Sequence, residues 1–264
     1  MNGSAIGGLP ADLLDRLVAL ARQAAEVALK YYRREFAVRS KSDATPVTDA
    51  DEAAEAVILA GLRRLTPEIP IVAEEALARG GTRWSDVAPP RLFWLVDPLD
   101  GTREFVARND EFSINIGLAA DRRAALGVVH APVAGVTYGT AGRGEAFVWR
   151  GDAEPTPIRA RRAPTSGLVA LSSRSHGDRT ALDAFLSQYN VAERRILGSA
   201  IKFAAIAAGE ADLYPRFGPT MEWDTCAGHA VLEAAGGAVV TAAGAPLLYG
   251  KPRFQNPDFI ARGA

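Results

Sequence analysis

The sequence predicts a protein of mixed class, an α+β first half followed by an α/β second half. Three observations carry this expectation. Two amphipathic helical patterns lie before residue 66, short β-like runs separated by Pro and Gly fill residues 112–149, and strand and helix patterns alternate from residue 168 onward. Gly151 to Gly167 is rich in Pro, Arg and Ala and has no period. It is therefore the expected boundary between halves at 1–155 and 165–264.

The elements follow in order. Between Asp12 and Tyr32, Leu13, Leu14, Leu17, Val18, Ala21, Ala24, Ala25 and Ala28 recur at helical spacing among charges, which makes one amphipathic helix. Lys41 to Thr45 breaks the pattern, and Pro46-Val47-Thr48 opens a second helix reaching Leu65, stopped by Pro67. Thr48 and Asp51 have the spacing of a capping box, with Asp in place of the usual Glu or Gln. Capping is thus the plain role of Asp51. Ile69 to Ala73 reads as a short strand entering Glu74-Glu75, an acid pair that solvation alone would explain, and Ala76 to Pro90 as a mobile loop.

Leu92-Phe93-Trp94-Leu95-Val96 is an unbroken apolar run and reads as a central strand buried on both faces. Phe112, Ile114, Ile116 and Leu118 alternate with Ser113, Asn115 and Gly117, the pattern of a half-buried strand. Leu126 to His130, Val136 to Thr140 and Glu145 to Trp149 continue an antiparallel meander. In the second half, strands are expected at Leu168 to Ser172, Val191 to Leu197, Ala211 to Tyr214 and Ala238 to Thr241. Helices are expected at Arg179 to Tyr189, Ser199 to Ala208 and Trp223 to Ala235, the last ended by Gly236-Gly237.

A chain of 264 residues with 48% hydrophobic and 23% charged content can bury a substantial core. Its net charge of -1 gives no nucleic-acid or membrane-surface footprint, and the densest basic cluster, Arg159-Ala160-Arg161-Arg162, reads as a solvated loop. Cys226 is the only cysteine. It excludes an internal disulfide, fits a reducing compartment, and in an apolar helical pattern reads as a small buried hydrophobe. Met1 to Pro10 shows no secretory signal, and no apolar run approaches the roughly 20 residues that span a bilayer. A cytoplasmic location is the expectation, which leaves open the oligomeric state and peripheral attachment to the inner face of the cell membrane.

The chemistry centres on Asp97-Pro98-Leu99-Asp100-Gly101-Thr102, a turn directly after the apolar run, leading into a short helix from Thr102 to Phe105. Two unit charges about 4 Å apart repel by roughly 4 kcal/mol at an effective dielectric of about 20. A loop that converges Asp97 and Asp100 therefore needs a cation or a protonated acid. Mg²⁺ suits this, since it takes hard oxygens, keeps several waters and binds through a few carboxylates together with substrate phosphate. The Leu99 carbonyl offers another hard oxygen, and the Thr102 hydroxyl a group to orient an attacking water. The plain alternative is a surface turn, because Asp, Pro and Gly are ordinary turn residues.

This loop resembles the signature of the inositol monophosphatase superfamily of magnesium-dependent, lithium-sensitive phosphatases. Its extension Arg103-Glu104-Phe105, with Glu222-Trp223-Asp224-Thr225-Cys226-Ala227-Gly228-His229, is similar more narrowly to the CysQ-type 3'(2'),5'-bisphosphate nucleotidases. The resemblance runs from about residue 12 to about residue 260. It implies an α-β-α-β-α sandwich, with an antiparallel sheet in the first half and a mixed sheet in the second. It also implies two or three Mg²⁺ ions held by Glu74, Asp97, the Leu99 carbonyl, Asp100 and Asp224, with Asp51 near a more weakly bound ion. Glu74 is favoured over Glu75, and Glu74, Thr102 and Asp51 would prepare the attacking water for one in-line displacement.

For the substrate, the resemblance implies contacts from Leu99, Asp100, Gly101, Thr102, His176, Ser199, Lys202, Arg216 and Asp224. Taken singly, Asp224 is a helix cap, Lys202 a helix-surface charge, His176 a loop residue and Arg216 an ion-pair partner. The partner it implies is a small phosphate monoester, adenosine 3',5'-bisphosphate, converted to AMP in recycling a by-product of sulfur assimilation. An inositol or fructose-bisphosphate phosphatase would share the metals but differ in pocket. A haloacid-dehalogenase-type phosphatase would space its two acids two apart and not three, and a non-catalytic phosphate-binding regulator would not need Glu74 and Thr102.

Overall fold

The computed structural model describes residues 9–34, 38–40, 46–80, 88–142, 144–174 and 177–264. Helices α1 (Leu13–Tyr32) and α2 (Asp49–Leu65) pack together, and Leu17, Ala21, Ile58 and Leu62 are fully buried at the heart of that layer. Thr48 and Asp51 do form the expected capping box, with the Thr48 N–H donating to Asp51 Oδ2 at 2.8 Å. Before α2 a two-stranded ribbon joins β1 (Val38–Ser40) to β2 (Pro46–Thr48). The interruption read at 41–45 lies outside the described residues.

Under α1 and α2 lies a seven-stranded sheet of β3 (Ile71–Ala73), β4 (Leu92–Asp100), β5 (Ser113–Ala120), β6 (Arg123–Ala131), β7 (Val136–Thr140), β8 (Ala146–Arg150) and β9 (Thr156–Ile158), in that spatial order. Only β3 and β4 run parallel, so the meander holds. The second sheet has the order β11-β10-β12-β14-β13, formed by β10 (Leu168–Ser172), β11 (Val191–Ile196), β12 (Leu213–Arg216), β13 (Ala238–Thr241) and β14 (Phe259–Arg262). Between the sheets sit α6 (Ile201–Ala207) and α7 (Glu222–Ala234), whose apolar residues share one cluster with Val129, Val148, Leu171, Tyr214 and Phe259. On the outer face, α5 (Arg179–Leu186) packs Leu186 against Ala170 and Leu213. The layers are therefore α-β-α-β-α.

Several elements differ from expectation. Strand β4 is second from the edge and not central, and it continues through Pro98 to Asp100 across a bulge. Part of the loop expected at 76–90 is helical, since α3 spans Glu74–Ala78, while 81–87 lie outside the described residues. β9 falls in the aperiodic stretch 151–167, and β14 had no sequence signal because each is only a few residues long. Arg161 is not simply solvated, as its guanidinium makes two 2.8 Å bonds to the buried carboxylate of Asp212.

Strand β5 is buried along its whole length and not on one face only. Its apolar side meets α1 and α2, and its small and polar side is covered by α7. Gly117 and Gly127 stand directly opposite each other on β5 and β6. A Cβ would lie 2.7 Å from Ala227 N at Gly117 and 2.3 Å from Ala227 O at Gly127. The paired glycines thus make a flat seat for the helix that carries Asp224. Gly127→Ala should lower the unfolding free energy by about 1–3 kcal/mol through overpacking, read by chemical denaturation; an unchanged midpoint would show that α7 does not rest on this backbone.

Candidate active site

Side chains alternate along β4, so Phe93 and Leu95 face the α7 side with Trp223 and Tyr249, while Trp94 and Val96 face α1 and α2. Asp97 continues the first series and points toward α7. A regular strand would send Asp100, an odd number of residues on, to the opposite face. The bulge prevents this: Asp97 pairs with Asn115 and Asp100 with Ser113, so three steps on β4 match two on β5. Both acids therefore share one face, and Pro98, which cannot donate to a ladder, sits where the ladder is interrupted.

The cleft they enter has a volume of about 640 Å³ and is lined by Glu74, Asp97, Leu99, Asp100, Gly101, Thr102, Ser199, Lys202, Arg216 and Asp224, among others. Nearly every residue expected from the sequence to serve the site thus meets in one place. Asp51 stands behind it: Thr102 Oγ1 lies 3.1 Å from Asp51 Oδ1 and 3.3 Å from the Leu99 carbonyl, while Asp51 Oδ2 caps α2. Capping and contact with the site coexist in one carboxylate. Glu74 lines the cleft, whereas Glu75 is buried elsewhere with its N–H donating to Glu55. His176 lies outside the described residues.

Electrostatics divides the cleft into two ends. Burial pushes the Asp97 carboxyl well above the usual carboxylate range, helped by the neighbouring Glu74, Asp100 and Asp224. Asp224 is raised in the same way by burial, Asp100 and Glu74, although its Oδ2 accepts the Met221 N–H at 2.8 Å. Asp100 is raised by burial despite accepting from Asn115 Nδ2 at 3.1 Å and Ala200 N at 2.6 Å. At the other end Lys202 is only 4% exposed and not a surface charge. Its ammonium donates to the carbonyls of Leu197 (3.1 Å) and Ser199 (2.5 Å) and lies 5.1 Å from the Tyr214 ring centre. Burial brings its pKa down to about 8, against the pull of Asp100. Arg216, also buried, donates to the Pro219 carbonyl at 2.7 Å.

Acids that raise one another's pKa are a hard-oxygen donor set short of positive charge, and that fits a divalent cation. Among the described residues no three His, Cys, Asp or Glu side chains form a ready-made metal cage. A hard divalent cation that completes its shell with waters and substrate oxygens is compatible with these acids.

The sequence reading missed Asn115 and Glu104, the first bonded to Asp100 and the second lining the cleft. Asn115 carried a signal, a polar residue on a strand amid isoleucines, hidden by taking its face as solvated.

Because the folded pKa values of Asp97 and Asp224 are raised, the stability gained from protonating them is full below the ordinary value of 3.8 and is lost as pH rises through the elevated values. Asp97→Asn, neutral at every pH, should therefore melt at a higher temperature than wild type at pH 8 in chelator, with the gap narrowing as pH falls toward about 4. A variant that melts lower at pH 8 would contradict the crowding of charge inferred here.

The sequence model of the inositol monophosphatase family matches residues 10–259. The 3'(2'),5'-bisphosphate nucleotidase CysQ of Escherichia coli (strain K12) is 43% identical over 254 residues, covering 94% of this chain and 98% of the relative. Among solved structures, CysQ from Bacteroides thetaiotaomicron, a bacterial member of the inositol monophosphatase family, superposes with a TM-score of 0.77 at 33% identity, covering 94% of this chain and 96% of that one. Inositol monophosphatase from Anabaena (Nostoc) sp. PCC 7120 gives a TM-score of 0.73 at 26% identity over 95% of this chain and 90% of that one. With the five-layer sandwich, the bulged acidic strand and this match along nearly the whole sequence, the chain belongs to the inositol monophosphatase family.

Proposed function

We infer that this protein is a Mg²⁺-dependent 3'(2'),5'-bisphosphate nucleotidase that removes the 3'-phosphate of adenosine 3',5'-bisphosphate, giving AMP and phosphate. The observation that carries the reading is the division of one cleft into an acidic end, Glu74, Asp97, Asp100 and Asp224, and a buried cationic end, Lys202 and Arg216. A substrate with one phosphate needs only the first. A nucleotide with two phosphates uses both, and the similarity to CysQ proteins points the same way.

In this reading Glu74, Asp97, the Leu99 carbonyl, Asp100 and Asp224 would hold two or three Mg²⁺ ions, and Asp51 would serve a more weakly bound one. Bound there, magnesium would supply Lewis acidity for an in-line displacement by water. The chain's own part is positioning. Asp51 Oδ1 and the Leu99 carbonyl both lie within reach of the Thr102 proton, so the Thr102 oxygen keeps its lone pairs for a water entering the cleft. Two of the three Lys202 N–H groups are spent on backbone carbonyls, and the third serves the second phosphate. Arg216 adds a planar fork suited to the same group; Ser199, whose carbonyl holds the Lys202 ammonium, brings backbone to that end, and Gly101, next to Asp100, lines the acidic end.

Asp97→Asn and Asp224→Asn should each reduce phosphate release by at least about a hundredfold at saturating Mg²⁺, since a lost metal ligand costs more than the outer-shell changes that already cost tenfold to a hundredfold. Near wild-type turnover in either variant, or release unaffected by chelator, would remove the metal reading.

Charge-assisted contacts contribute about 1.5–3 kcal/mol each. Arg216→Ala should accordingly lower kcat/KM on adenosine 3',5'-bisphosphate by roughly tenfold to a hundredfold, and barely change it on an inositol monophosphate. Equal losses on both, or a wild-type preference for the inositol ester, would keep the family and overturn the substrate.

A further inference from the structure

Asp224 is placed by the first turn of α7, and that turn is held from behind by the segment 249–256. The Glu222 N–H donates to the Phe254 carbonyl at 2.7 Å, and Met221 bridges to Gln255. The fully buried Glu222 carboxylate accepts the N–H groups of Gly250 (2.7 Å) and Lys251 (2.8 Å). Asn256 completes the cradle, and its side chain does what the backbone contacts cannot. Its own N–H donates to the Thr220 carbonyl at 2.9 Å, while Nδ2 lies 2.7 Å from the Met221 carbonyl and 3.1 Å from Thr225 Oγ1. One buried amide thus ties together residues on both sides of Asp224.

The orientation of that amide is fixed by chemistry. The Met221 carbonyl can only accept, so the nitrogen must face it. Thr225 Oγ1 donates to the Glu222 carbonyl at 3.2 Å and so presents lone pairs to Asn256. Behind Thr225 the Tyr249 hydroxyl lies 3.3 Å away and is itself 2.8 Å from His229 Nδ1. A buried polar seam therefore backs the turn. Met221 links the amide to the carboxylate through two successive peptide units: its carbonyl accepts from Asn256 Nδ2 and from the Asp224 N–H (3.2 Å), and its N–H donates to Asp224 Oδ2 at 2.8 Å.

We propose that Asn256 is a positioning residue for the Asp224 carboxylate, acting through Met221 and Thr225 to set where that carboxylate stands for Mg²⁺. The inference rests on the reading of Asp224 as a metal ligand. Without the amide, the Met221 carbonyl and the Thr225 hydroxyl each lose a buried donor, so the residues on either side of Asp224 are tied to the 249–256 segment by backbone bonds alone and the aim of the carboxylate held by the Met221 N–H loosens.

The test titrates Mg²⁺ into the intact wild-type protein and into Asn256→Ala, Asp224→Asn and Leu232→Ala, by calorimetry and by phosphate release from adenosine 3',5'-bisphosphate. Asn256→Ala should weaken Mg²⁺ binding about tenfold and raise the half-maximal Mg²⁺ concentration by a similar factor, as loss of an outer-shell partner does. At saturating Mg²⁺ its KM for nucleotide should stay within about twofold of wild type, which separates metal placement from substrate binding. Leu232→Ala opens a cavity in the buried core of the same helix. It should lower the melting temperature and leave the Mg²⁺ midpoint alone, so a merely structural role for Asn256 would make the two variants alike. Asn256→Ser, which retains one donor, should give a smaller shift in the same direction and carries the test if the alanine variant does not fold.

A wild-type Mg²⁺ response in the Asn256 variants, or an equal shift in Leu232→Ala, overturns the proposal while Asp224→Asn still loses Mg²⁺ binding. A wild-type response in Asp224→Asn itself overturns the ligand reading, and this inference with it.

Discussion

Asp97 and Asp100 are three positions apart, which in a regular strand would place one carboxylate in the α7 layer and the other against α1 and α2. One extra residue on β4, at Pro98-Leu99, brings them to the same side. Burial raises the pKa of these carboxylates, and the neighbouring Glu74 and Asp100 push Asp97 and Asp224 up further. This concentrated charge shapes the rest of the cleft. It calls for a cation, places Lys202 within the field of Asp100, and makes the backbone donors at Leu99, Ala200 and Met221 necessary to hold three acids in low dielectric.

Those donors also explain how the two sheets share one site. Asp100 sits on the first sheet, yet accepts from Ala200 at the start of the second half's inner helix. Glu111 does the same for Gly198, where a Cβ would lie 2.3 Å from the Glu111 carbonyl. Between these two contacts Ser199 takes a left-handed backbone, with φ of 50°. A non-glycine residue in that region is strained, and it is held there because its neighbours are bonded to Glu111, just before β5, and to Asp100 on β4. The cationic end is thus positioned by the acidic end through backbone bonds.

The middle helical layer supplies the third constraint. α7 must approach the first sheet closely enough for Asp224 to join Asp97, and opposed glycines on β5 and β6 permit that approach. From the opposite side the 249–256 segment fixes the first turn of α7 through Glu222 and Asn256. Asp224 is held between a flat sheet and a polar cradle, so its carboxylate is the endpoint of contacts from both halves of the chain.

Much of this was legible in the sequence where a local rule applied. The periods of α1, α2 and the meander, the capping box at Thr48 and Asp51, and the glycine stop after α7 each depend on residues within a few positions of one another. The acid loop and Trp223-Asp224 were legible as motifs for the same reason. What the sequence could not decide were the relations between distant segments. Whether β5 is covered on one face or two depends on a helix more than a hundred residues later, and whether Lys202 is a surface charge or a buried one depends on Tyr214 and the sheet beneath it. Asn256 has no local pattern at all, since its partners at Thr220, Met221 and Thr225 lie some thirty residues away. Periodicity and capping act along the chain and are written in it, whereas burial, charge coupling and the aim of a carboxylate arise only when layers close on one another.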